Sequence, residues 1–486
     1  MPGGSRLPIP PTPSKTKRNL SPRRRREKHM RPLEIETIVV GGGISGLACA
    51  FRLHERHKPF LLLEAAERVG GVIESEPHDD FLVEKGPNSV LAAPELLEMS
   101  RKLELKPLLA PERMPRFIYH DGRLKPLPMG PIAFLNSSLF TWRGKLRLLQ
   151  EPFVPPRTDP EEESVASFFT RRFGPESVER AVGPFVSGIF AGDPERLSVG
   201  AAFPRLVELE RKYGSVLKGF LHSARERRKN TTKEPPEHST VADRKRHRRI
   251  CSFPGGLSTL TTALHKHLAP SIRLGTPVIA IRKDGEQYLL RTREGAFLAR
   301  NVVLATPAGT SARLTEELDP ALSRLLHEIP YSPLVVVATG FSHEDVPLSL
   351  EGFGFLVSRW QEMRILGTIW SSSLFPIHAP TGYHLLTTFI GGFCDPQIVG
   401  FSDEAILSLL ERDFERILGI HLPPRFHTIK RHSAAIPHYS LGHVARVAAI
   451  EKHLSTLPRL LLIGNYLQGV SVGDCIRRAF ETADRL

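Results

Sequence analysis

The feature that most constrains this chain is a glycine-rich turn between a short apolar run and a helix-forming segment. Residues 38–48 read IVVGGGISGLA, and a second apolar run ends at Glu64. Gly41 allows a tight turn out of a strand, Gly43 lets a pyrophosphate approach the backbone, and Gly46 lets the helix pack closely on the sheet. This order of strand, turn, helix and strand predicts a dinucleotide-binding α/β fold.

The carboxylate that follows the second apolar run narrows the choice of dinucleotide. Glu64 can accept hydrogen bonds from ribose hydroxyls, whereas its charge would repel a 2′-phosphate, which argues against NADP. The pyrophosphate would lie at the helix N-terminus, where free N–H groups and the helix dipole favour an anion. NAD, FAD and a glycine turn in an ordinary parallel sheet remain alternatives at this point.

Length and composition indicate a globular protein of about two or three domains. Of the 486 residues, 41% are hydrophobic and 24% are charged. The net charge of +14 first suggests a nucleic-acid partner. However, residues 1–31 hold ten Lys and Arg against one Glu, and residues 222–250 hold ten against four acidic residues. These two segments account for the whole excess, so we expect no nucleic-acid partner.

The cysteines indicate the redox compartment, and the lengths of the apolar runs bear on whether the chain spans a membrane. Cys49, Cys251, Cys394 and Cys475 form no C-x-x-C pair, which predicts a reducing, cytoplasmic compartment and no metal site. No apolar run approaches the ~20 residues of a spanning helix. The N-terminal region resembles an export signal, but cleavage there would destroy the glycine turn, so we expect no export. Met30 is a candidate start.

Composition shifts divide the chain into segments. Residues 1–30 form a basic tail that is predicted to be disordered, and 223–250 is predicted to be a charged, flexible loop. The other predicted segments are nucleotide-binding parts at 31–110, 251–330 and 441–486, a hairpin with a helical domain at 111–222, and a substrate-binding sheet at 331–440.

Turns downstream could bring more of the chain to the same ligand. Arg68 can reach toward phosphates, and the glycines at 70–71 let the backbone approach the nucleotide. The turn at 470–475 opens a C-terminal helix and so offers a second helix N-terminus. The apolar segment 183–194 is typical either of a loop around a flat apolar ligand or of a buried helix connection, and the residues alone favour neither.

In this order, the pieces resemble the amine-oxidase-type FAD superfamily. The glycine turn, Glu64, the turn at 68–71, the strand at 301–307 and the closing turn at 464–473 carry that resemblance. Three segments are similar to the oxygen-dependent protoporphyrinogen and coproporphyrinogen oxidases of haem synthesis: GPNS at 86–89, SGIFAGDP at 187–194 and GNYLQGV at 464–470. The resemblance begins near Glu34, and the basic tail and charged loop depart from it.

The resemblance implies noncovalent FAD in a mixed α/β fold. The FAD domain would be Rossmann-like, of the p-hydroxybenzoate-hydroxylase type, with an antiparallel-sheet substrate domain and an α-helical domain. The implied cofactor contacts are Gly41, Gly42, Gly43, Ile44, Ser45, Gly46, Glu64, Arg68, Val72, Gly86, Pro87, Asn88, Ser89, Val278, Asn465, Val470, Ser471 and Val472.

The resemblance also implies a porphyrinogen site. Arg116 would pair with a propionate, although the residue alone favours a solvated charge on a hairpin. The segment from Gly188 to Gly192 would offer carbonyl oxygens to pyrrole N–H groups. The macrocycle would be sandwiched by Leu356, Ile369 and Phe389.

The implied reaction is hydride transfer from the macrocycle to flavin N5, followed by return of the electrons to oxygen as hydrogen peroxide. Because the flavin carries this chemistry, no catalytic side chain is assigned, although His432, His438 and His443 invite a role as general base. An amine oxidase or a carotenoid-type desaturase is the alternative enzyme. A nucleic-acid or lipid-binding protein is the non-enzyme alternative.

Two further expectations concern membrane contact and oligomeric state. The predicted helical part carries apolar residues that could form core or touch a membrane: Ile132, Phe134, Leu135, Leu139, Phe140 and Trp142. The resemblance also admits a homodimer and a cytoplasmic protein in peripheral contact with a membrane.

Overall fold

A parallel sheet carries the glycine turn at its carboxyl edge. Strand β1 (Leu33–Val40) lies between β2 (Phe60–Leu63) and β13 (Ala296–Leu304), and both neighbours are parallel to it. β10 (Ile272–Arg273) extends the sheet beyond β2, and β19 (Leu460–Leu462) pairs with β13 on its other side. Because helices cover both faces at the carboxyl edge, the last three residues of β1, β2, β13 and β19 are all apolar.

The structure, a computed structural model, describes residues 32–486 except 158, 160, 231–248, 359, 360 and 362. The predicted disordered tail at 1–30 lies outside the described residues, as does most of the predicted loop at 223–250. The described ends of that loop are regular: 223–230 belong to a helix, Val216–Asn230, and a strand begins at Ile250. The prediction was wrong there because Arg, Lys and Glu continue a helix readily.

Helices pack on both faces of the parallel sheet. On one face, α1 (Ile44–Glu55) packs against α17 (Val472–Arg485), beside α2 (Pro94–Lys102) and α11 (Ser258–Leu268). The core on this side includes Val39, Leu47, Phe51, Leu62, Leu264, Ile476 and Phe480. The helices on the other face are α12 (Ala308–Thr315), α13 (Pro320–His327) and α16 (His443–Leu454).

Short antiparallel elements complete this half of the molecule. β11 (Val278–Asp284) and β12 (Gln287–Thr292) form a hairpin that pairs with the first half of β13. The remaining small strands are β3 (Ser75–His78) with β4 (Phe81–Glu84), and β9 (Ile250–Ser252) with β5 (Val90–Leu91) and β6 (Leu108–Leu109).

A second, seven-stranded sheet forms the other half. Its strands are β7 (Arg116–His120), β8 (Arg123–Pro126), β14 (Tyr331–Ser342), β15 (Gly354–Val357), β16 (Ile365–Trp370), β17 (Tyr383–Gly391) and β18 (Phe426–Pro437). The strand order is β18–β14–β17–β16–β15–β7–β8. One face packs on α15 (Asp403–Leu418), and the short helix α14 (Ser371–Leu374) follows β16.

The predicted antiparallel sheet differs from this one in two respects. β15 and β7 are parallel, because the hairpin β7–β8 comes from far earlier in the chain and joins the sheet edge in that direction. β18 was not predicted, because half of its residues are polar and its sequence lacks the apolar alternation of a half-buried strand.

The segment 131–230 is helical, as predicted for 131–222. Its elements are α3 (Pro131–Asn136), α4 (Trp142–Leu149), α5 (Val165–Phe173), α6 (Pro175–Ser177), a π-helical turn (Val178–Val182), α7 (Gly183–Phe190), α8 (Val199–Ala202), α9 (Pro204–Tyr213) and α10 (Val216–Asn230). Among the helices of the described residues, none has the length and apolar content needed to cross a bilayer.

A buried ion network holds the helical segment together. Arg172 on α5 and Glu151 are both fully buried and form an ion pair. Glu151 also accepts hydrogen bonds from the Ser215 hydroxyl (2.6 Å) and the Val216 N–H (2.9 Å) at the start of α10. Glu210 on α9 lies 3.3 Å from the Arg172 guanidinium. One guanidinium therefore joins three parts of the helical segment.

Replacing Arg172 with methionine should destabilise the protein by about 3–5 kcal/mol, because Glu151 would stay buried without its cation. Urea unfolding of the wild type and Arg172→Met measures the change. Arg143→Met is the matched control, since Arg143 is exposed on α4 and should matter by less than about 0.5 kcal/mol. Equal effects of the two substitutions would show that the network does not hold the segment together.

Candidate functional site

The glycine turn after β1 is so tight that two of its positions accept only glycine. Gly41 has a φ of +110°, and a Cβ there would lie 2.8 Å from the Ala305 carbonyl oxygen. A Cβ on Gly46 would lie 1.9 Å from the Gly41 carbonyl oxygen. The first turn of α1 therefore rests directly on the end of β1, as the glycine pattern predicts.

Gly43 differs because its missing side chain faces open space. It is the N-cap residue of α1, no side chain caps the helix there, and a Cβ would meet no protein atom within 4 Å. The N–H groups of Ile44 and Ser45 belong to the first turn, which has no acceptors within the helix. An uncapped helix N-terminus with room beside it fits a pyrophosphate.

Glu64 lies beside this turn at the end of β2. One carboxylate oxygen accepts a hydrogen bond from the Gly42 N–H, and the other accepts one from the Ala66 N–H at 2.8 Å. Each oxygen keeps a second lone pair for a ribose hydroxyl. The Glu64 carbonyl accepts the Thr276 N–H at 2.8 Å, which places Val278, two residues later, at the same edge.

A second glycine loop lies on the turn. The Gly70 N–H donates to the Gly42 carbonyl at 2.8 Å. Gly71 has a φ of +59°, and a Cβ there would lie 3.3 Å from Gly43 Cα. Val72 is exposed beside it. This loop and the turn are therefore in direct contact at Gly42 and Gly43.

Arg68 is engaged within this loop. Its guanidinium donates to the carbonyl oxygens of Val69, Gly71 and Ile73, and to the Glu74 carboxylate at 3.0 Å. These hydrogen bonds favour a role in fixing the loop over the predicted contact with a phosphate.

The segment after β4 joins the two halves of the molecule. A Cβ on Gly86 would lie 2.0 Å from the Val72 carbonyl oxygen, so the segment packs directly on the glycine loop. The buried Asn88 side chain donates to Ser371 Oγ (3.0 Å) and Thr387 Oγ1 (3.2 Å). Because Thr387 lies on β17, Asn88 connects the nucleotide side to the second sheet.

The C-terminal turn adds a second helix N-terminus. Ser471 caps α17 by accepting the Asp474 N–H at 3.1 Å. The Cys475 thiol lies within hydrogen-bonding reach of Ser45 on α1, and burial raises its pKa to about 11. The two helix N-termini that were predicted to contact the cofactor therefore meet. The remaining predicted contacts are half-buried around these turns: Ile44, Pro87, Ser89, Val278, Asn465, Val470 and Val472.

Four of the predicted substrate residues share one face of the second sheet. Arg116 and Ile369 flank the same glycine of β15, and Leu356 and Phe389 flank one glycine of β16. Since side chains alternate along a strand, all four project from the same face. Thr387, which contacts Asn88, pairs directly with Ile369. This face therefore lies next to the nucleotide-side loops.

α7 covers part of this face. A Cβ on Gly188 would lie 2.2 Å from Leu356 Cδ2, so helix and strand are in close contact. Of the two interpretations left open for this segment, the loop is wrong for 183–190, because these residues form α7. The helix ends at Ala191, which has a φ of +45°. Gly192 follows, and a Cβ there would lie 3.2 Å from the His438 ring.

Two cations lie on this face, with different partners. The Arg116 guanidinium lies 5.1 Å from the centre of the Phe353 ring, and no carboxylate among the described residues pairs with it. Lys430 on β18 is 3.0 Å from Glu74. Arg116 can therefore bind an anionic group, whereas Lys430 is already engaged.

The Lys430–Glu74 pair was not found from the sequence, because it depends on the unpredicted strand β18. Partial burial acts to raise the pKa of Glu74, but Lys430, Arg68 and Lys85 outweigh it, and the pKa is lowered. The carboxylate therefore stays charged and ties the glycine loop to the second sheet.

The histidines near the site are poor general bases. Burial lowers the pKa of His438 and of His443 to about 4. His432 Nε2 lies 2.7 Å from the Lys85 carbonyl oxygen. In the part of the chain that the structure describes, no three metal-binding side chains cluster. The site thus offers groups that bind and position a cofactor and an anionic, apolar ligand.

Comparison with protein families decides the cofactor. The family described as flavin containing amine oxidoreductase matches residues 44–486. The chain belongs to this family. Its cofactor is FAD. The uncapped N-terminus of α1, the free lone pairs of Glu64 and the open space beside Gly43 fit that cofactor.

The chain is similar to named relatives over most of its length. It is 34% identical to protoporphyrinogen oxidase 1 of Spinacia oleracea chloroplasts, over 92% of this chain and 83% of that protein. It is 30% identical to coproporphyrinogen III oxidase of Bacillus subtilis, over 90% of this chain and 95% of that protein.

A solved structure confirms the fold. A crystal structure from Exiguobacterium sp. 255-15, whose name assigns it provisionally to the protoporphyrinogen oxidases, matches with a TM-score of 0.75 and 27% identity. The match covers 94% of this chain and 99% of that one. The predicted mixed α/β fold with a Rossmann-like FAD domain is therefore confirmed.

Alanine substitutions in the turn should separate cofactor binding from folding. Gly43→Ala should change the unfolding free energy of the apoprotein by less than about 0.5 kcal/mol, because no protein atom is near. The same methyl would enter the space proposed for the pyrophosphate, so FAD affinity should fall at least about tenfold. Gly46→Ala should lower both the unfolding free energy and the FAD affinity. Urea unfolding and flavin-fluorescence titration measure these effects, and unchanged FAD affinity in Gly43→Ala would place the pyrophosphate elsewhere.

Proposed function

We propose that this flavoprotein oxidises a porphyrinogen to the porphyrin in haem biosynthesis, with oxygen as acceptor and hydrogen peroxide as product. The observation that carries the proposal is an apolar sheet face with Arg116, a cation without a carboxylate partner in the described residues, beside the cofactor loops. A porphyrinogen has the matching composition, namely a broad apolar macrocycle with carboxylates on its rim. The named relatives, which match at least 90% of the chain, support the same substrate class.

The residues of the sheet face and α7 would hold the macrocycle. Leu356, Ile369 and Phe389 supply an apolar wall, and Arg116 pairs with a propionate. The last carbonyl groups of a helix have no donors within it, so the end of α7 from Gly188 onward can accept hydrogen bonds from pyrrole N–H groups. Gly192, which follows the end of α7, would offer a further carbonyl group on the same side of the macrocycle.

The chemistry that FAD supplies when bound is transfer of a hydride equivalent to flavin N5 and onward to oxygen, once in each of three rounds. The protein holds the ring against the cofactor, pairs its carboxylate and excludes water. No side chain is assigned as a base, because His438 and His443 are weakly basic. Burial raises the pKa of the Cys475 thiol to about 11 and disfavours the thiolate, which supports FAD bound without a covalent link to it.

Arg116→Ala should raise the KM for a porphyrinogen about 10- to 100-fold, because a charged hydrogen bond to the propionate is lost. Arg116→Lys should recover part of the affinity, since an ammonium keeps the charge but not the bidentate geometry. Steady-state kinetics with anaerobically prepared substrate, together with the flavin absorption spectrum, measure this. Arg123→Ala, on the exposed neighbouring strand, is the control. A KM in Arg116→Ala equal to that of the control would remove Arg116 from the substrate site.

We further propose that α3 and α4 touch a membrane surface from the cytoplasm. Of the apolar residues singled out in the sequence, Leu139 and Phe140 are core, whereas Ile132 and Trp142 are 77% and 75% exposed. Further exposed apolar residues lie on and beside α3 and α4. Arg143 is exposed next to Trp142. Apolar side chains flanked by cations suit the interface of an anionic bilayer. The exposed set is Met129, Ile132, Leu135, Trp142, Leu146, Leu149 and Phe153.

Flotation with phosphatidylglycerol vesicles should show the wild type with the lipid and Ile132→Ser/Trp142→Ser largely free. The two substitutions remove apolar contact area without touching the core. Leu422→Ser, at an exposed leucine elsewhere, should float like the wild type. Wild-type protein that stays wholly free at low salt would remove the membrane from the proposal.

A further inference from the structure

His438 is completely buried beneath the residues that follow α7. It comes directly after β18, and its Nε2 accepts a hydrogen bond from the Asp193 N–H at 3.2 Å. Its ring lies so close to Gly192 that a Cβ there would be 3.2 Å from Cδ2 and 3.3 Å from Nε2. The imidazole therefore forms the floor of the turn 191–193.

The hydrogen bonds of His438 fix its tautomer. Since Nε2 accepts a backbone N–H, the ring proton must be on Nδ1. Nδ1 lies 2.8 Å from Ser440 Oγ, which accepts that proton. The ring also stacks on Phe393, with centroids 3.8 Å apart and planes 20° from parallel. The neutral imidazole is therefore hydrogen-bonded at both ring nitrogens and stacked on one face.

The turn above the ring needs such support. Ala191 adopts a left-handed conformation, with a φ of +45° and a ψ of 34°, which is unfavourable for a residue with a Cβ. The Ala191 carbonyl accepts the Phe393 N–H at 2.7 Å. The Asp193 N–H, two residues further along, donates to His438. Two contacts from the segments that follow β17 and β18 therefore hold a strained turn in place.

We propose that His438 is a positioning residue, which holds the turn 191–193 against the substrate face so that the end of α7 and Gly192 meet the macrocycle. The inference rests on the proposed function, since that function makes this turn part of the substrate site. His438 is not a base in this role, because its accepting nitrogen is occupied and its ring is closed to solvent.

The same geometry makes the turn sensitive to acid. Protonation would place a proton on Nε2, facing the Asp193 N–H, and the hydrogen bond would be lost. Burial lowers the pKa of His438 to about 4; the Asp193 carboxylate opposes this, while Arg196 and His443 add to it. Because the folded pKa lies below the ordinary value, the stabilisation is complete above about pH 6.5 and is lost as the pH falls toward 4.

Two variants of the holoenzyme test the role. Glutamine can accept the Asp193 N–H but does not titrate, whereas leucine fills the space without an acceptor. We expect His438→Leu to raise the KM for the porphyrinogen about tenfold with kcat and the flavin spectrum nearly unchanged. His438→Gln should retain the wild-type KM at neutral pH and show a smaller rise in KM on acidification than the wild type, because only protonation of the substrate carboxylate then contributes. His327→Leu, at an exposed histidine on α13, is the control.

A second measurement does not depend on turnover. Hydrogen exchange of the peptide covering 188–197 should be faster in His438→Leu and unchanged in His438→Gln and in the control. Unchanged exchange in His438→Leu would overturn the positioning role, and so would equal loss of kcat in both variants, which indicates a base. Faster exchange in an enzyme that turns over no porphyrinogen would keep the positioning role and remove the proposed function.

Discussion

The contact between the first turn of α1 and the end of β1 is the constraint on which the rest of the site depends. Gly46 faces the Gly41 carbonyl oxygen with no room for a methyl group, so the helix axis is fixed relative to the strand. The open N-cap at Gly43 is thereby placed at the sheet edge. Because α17 packs on α1, its own N-terminus is brought to the same point, where Ser45 and Cys475 meet.

The second sheet completes the site because its two faces are chemically different. One face is buried on α15, and the other leaves Arg116, Leu356, Ile369 and Phe389 in adjacent rows. Two polar links keep this face next to the cofactor loops: the buried amide of Asn88 and the ion pair of Lys430 with Glu74. The predicted cofactor and substrate residues, which are far apart in the chain, are therefore brought to adjacent parts of the molecule.

The sequence predicts what depends on local pattern, and fails where the outcome depends on distant pairing. The glycine turn, Glu64, the hairpin β7–β8 and the terminal helix were placed correctly, because glycine spacing and apolar periodicity encode them locally. β18 and the parallel β7–β15 pair were not, since strand pairing is decided by distant neighbours. Likewise, the apolar residues between Ile132 and Trp142 gave no sign that Leu139 would be core and Trp142 exposed.

The most direct test of the central claim is aerobic turnover by the purified, FAD-loaded protein of protoporphyrinogen IX and of coproporphyrinogen III, followed by porphyrin fluorescence and peroxide formation. We predict a yellow protein with flavin absorption that converts at least one of the two to its porphyrin, with three peroxides formed for each porphyrin. A flavin-loaded protein that oxidises neither, while oxidising a primary amine, would contradict the claim.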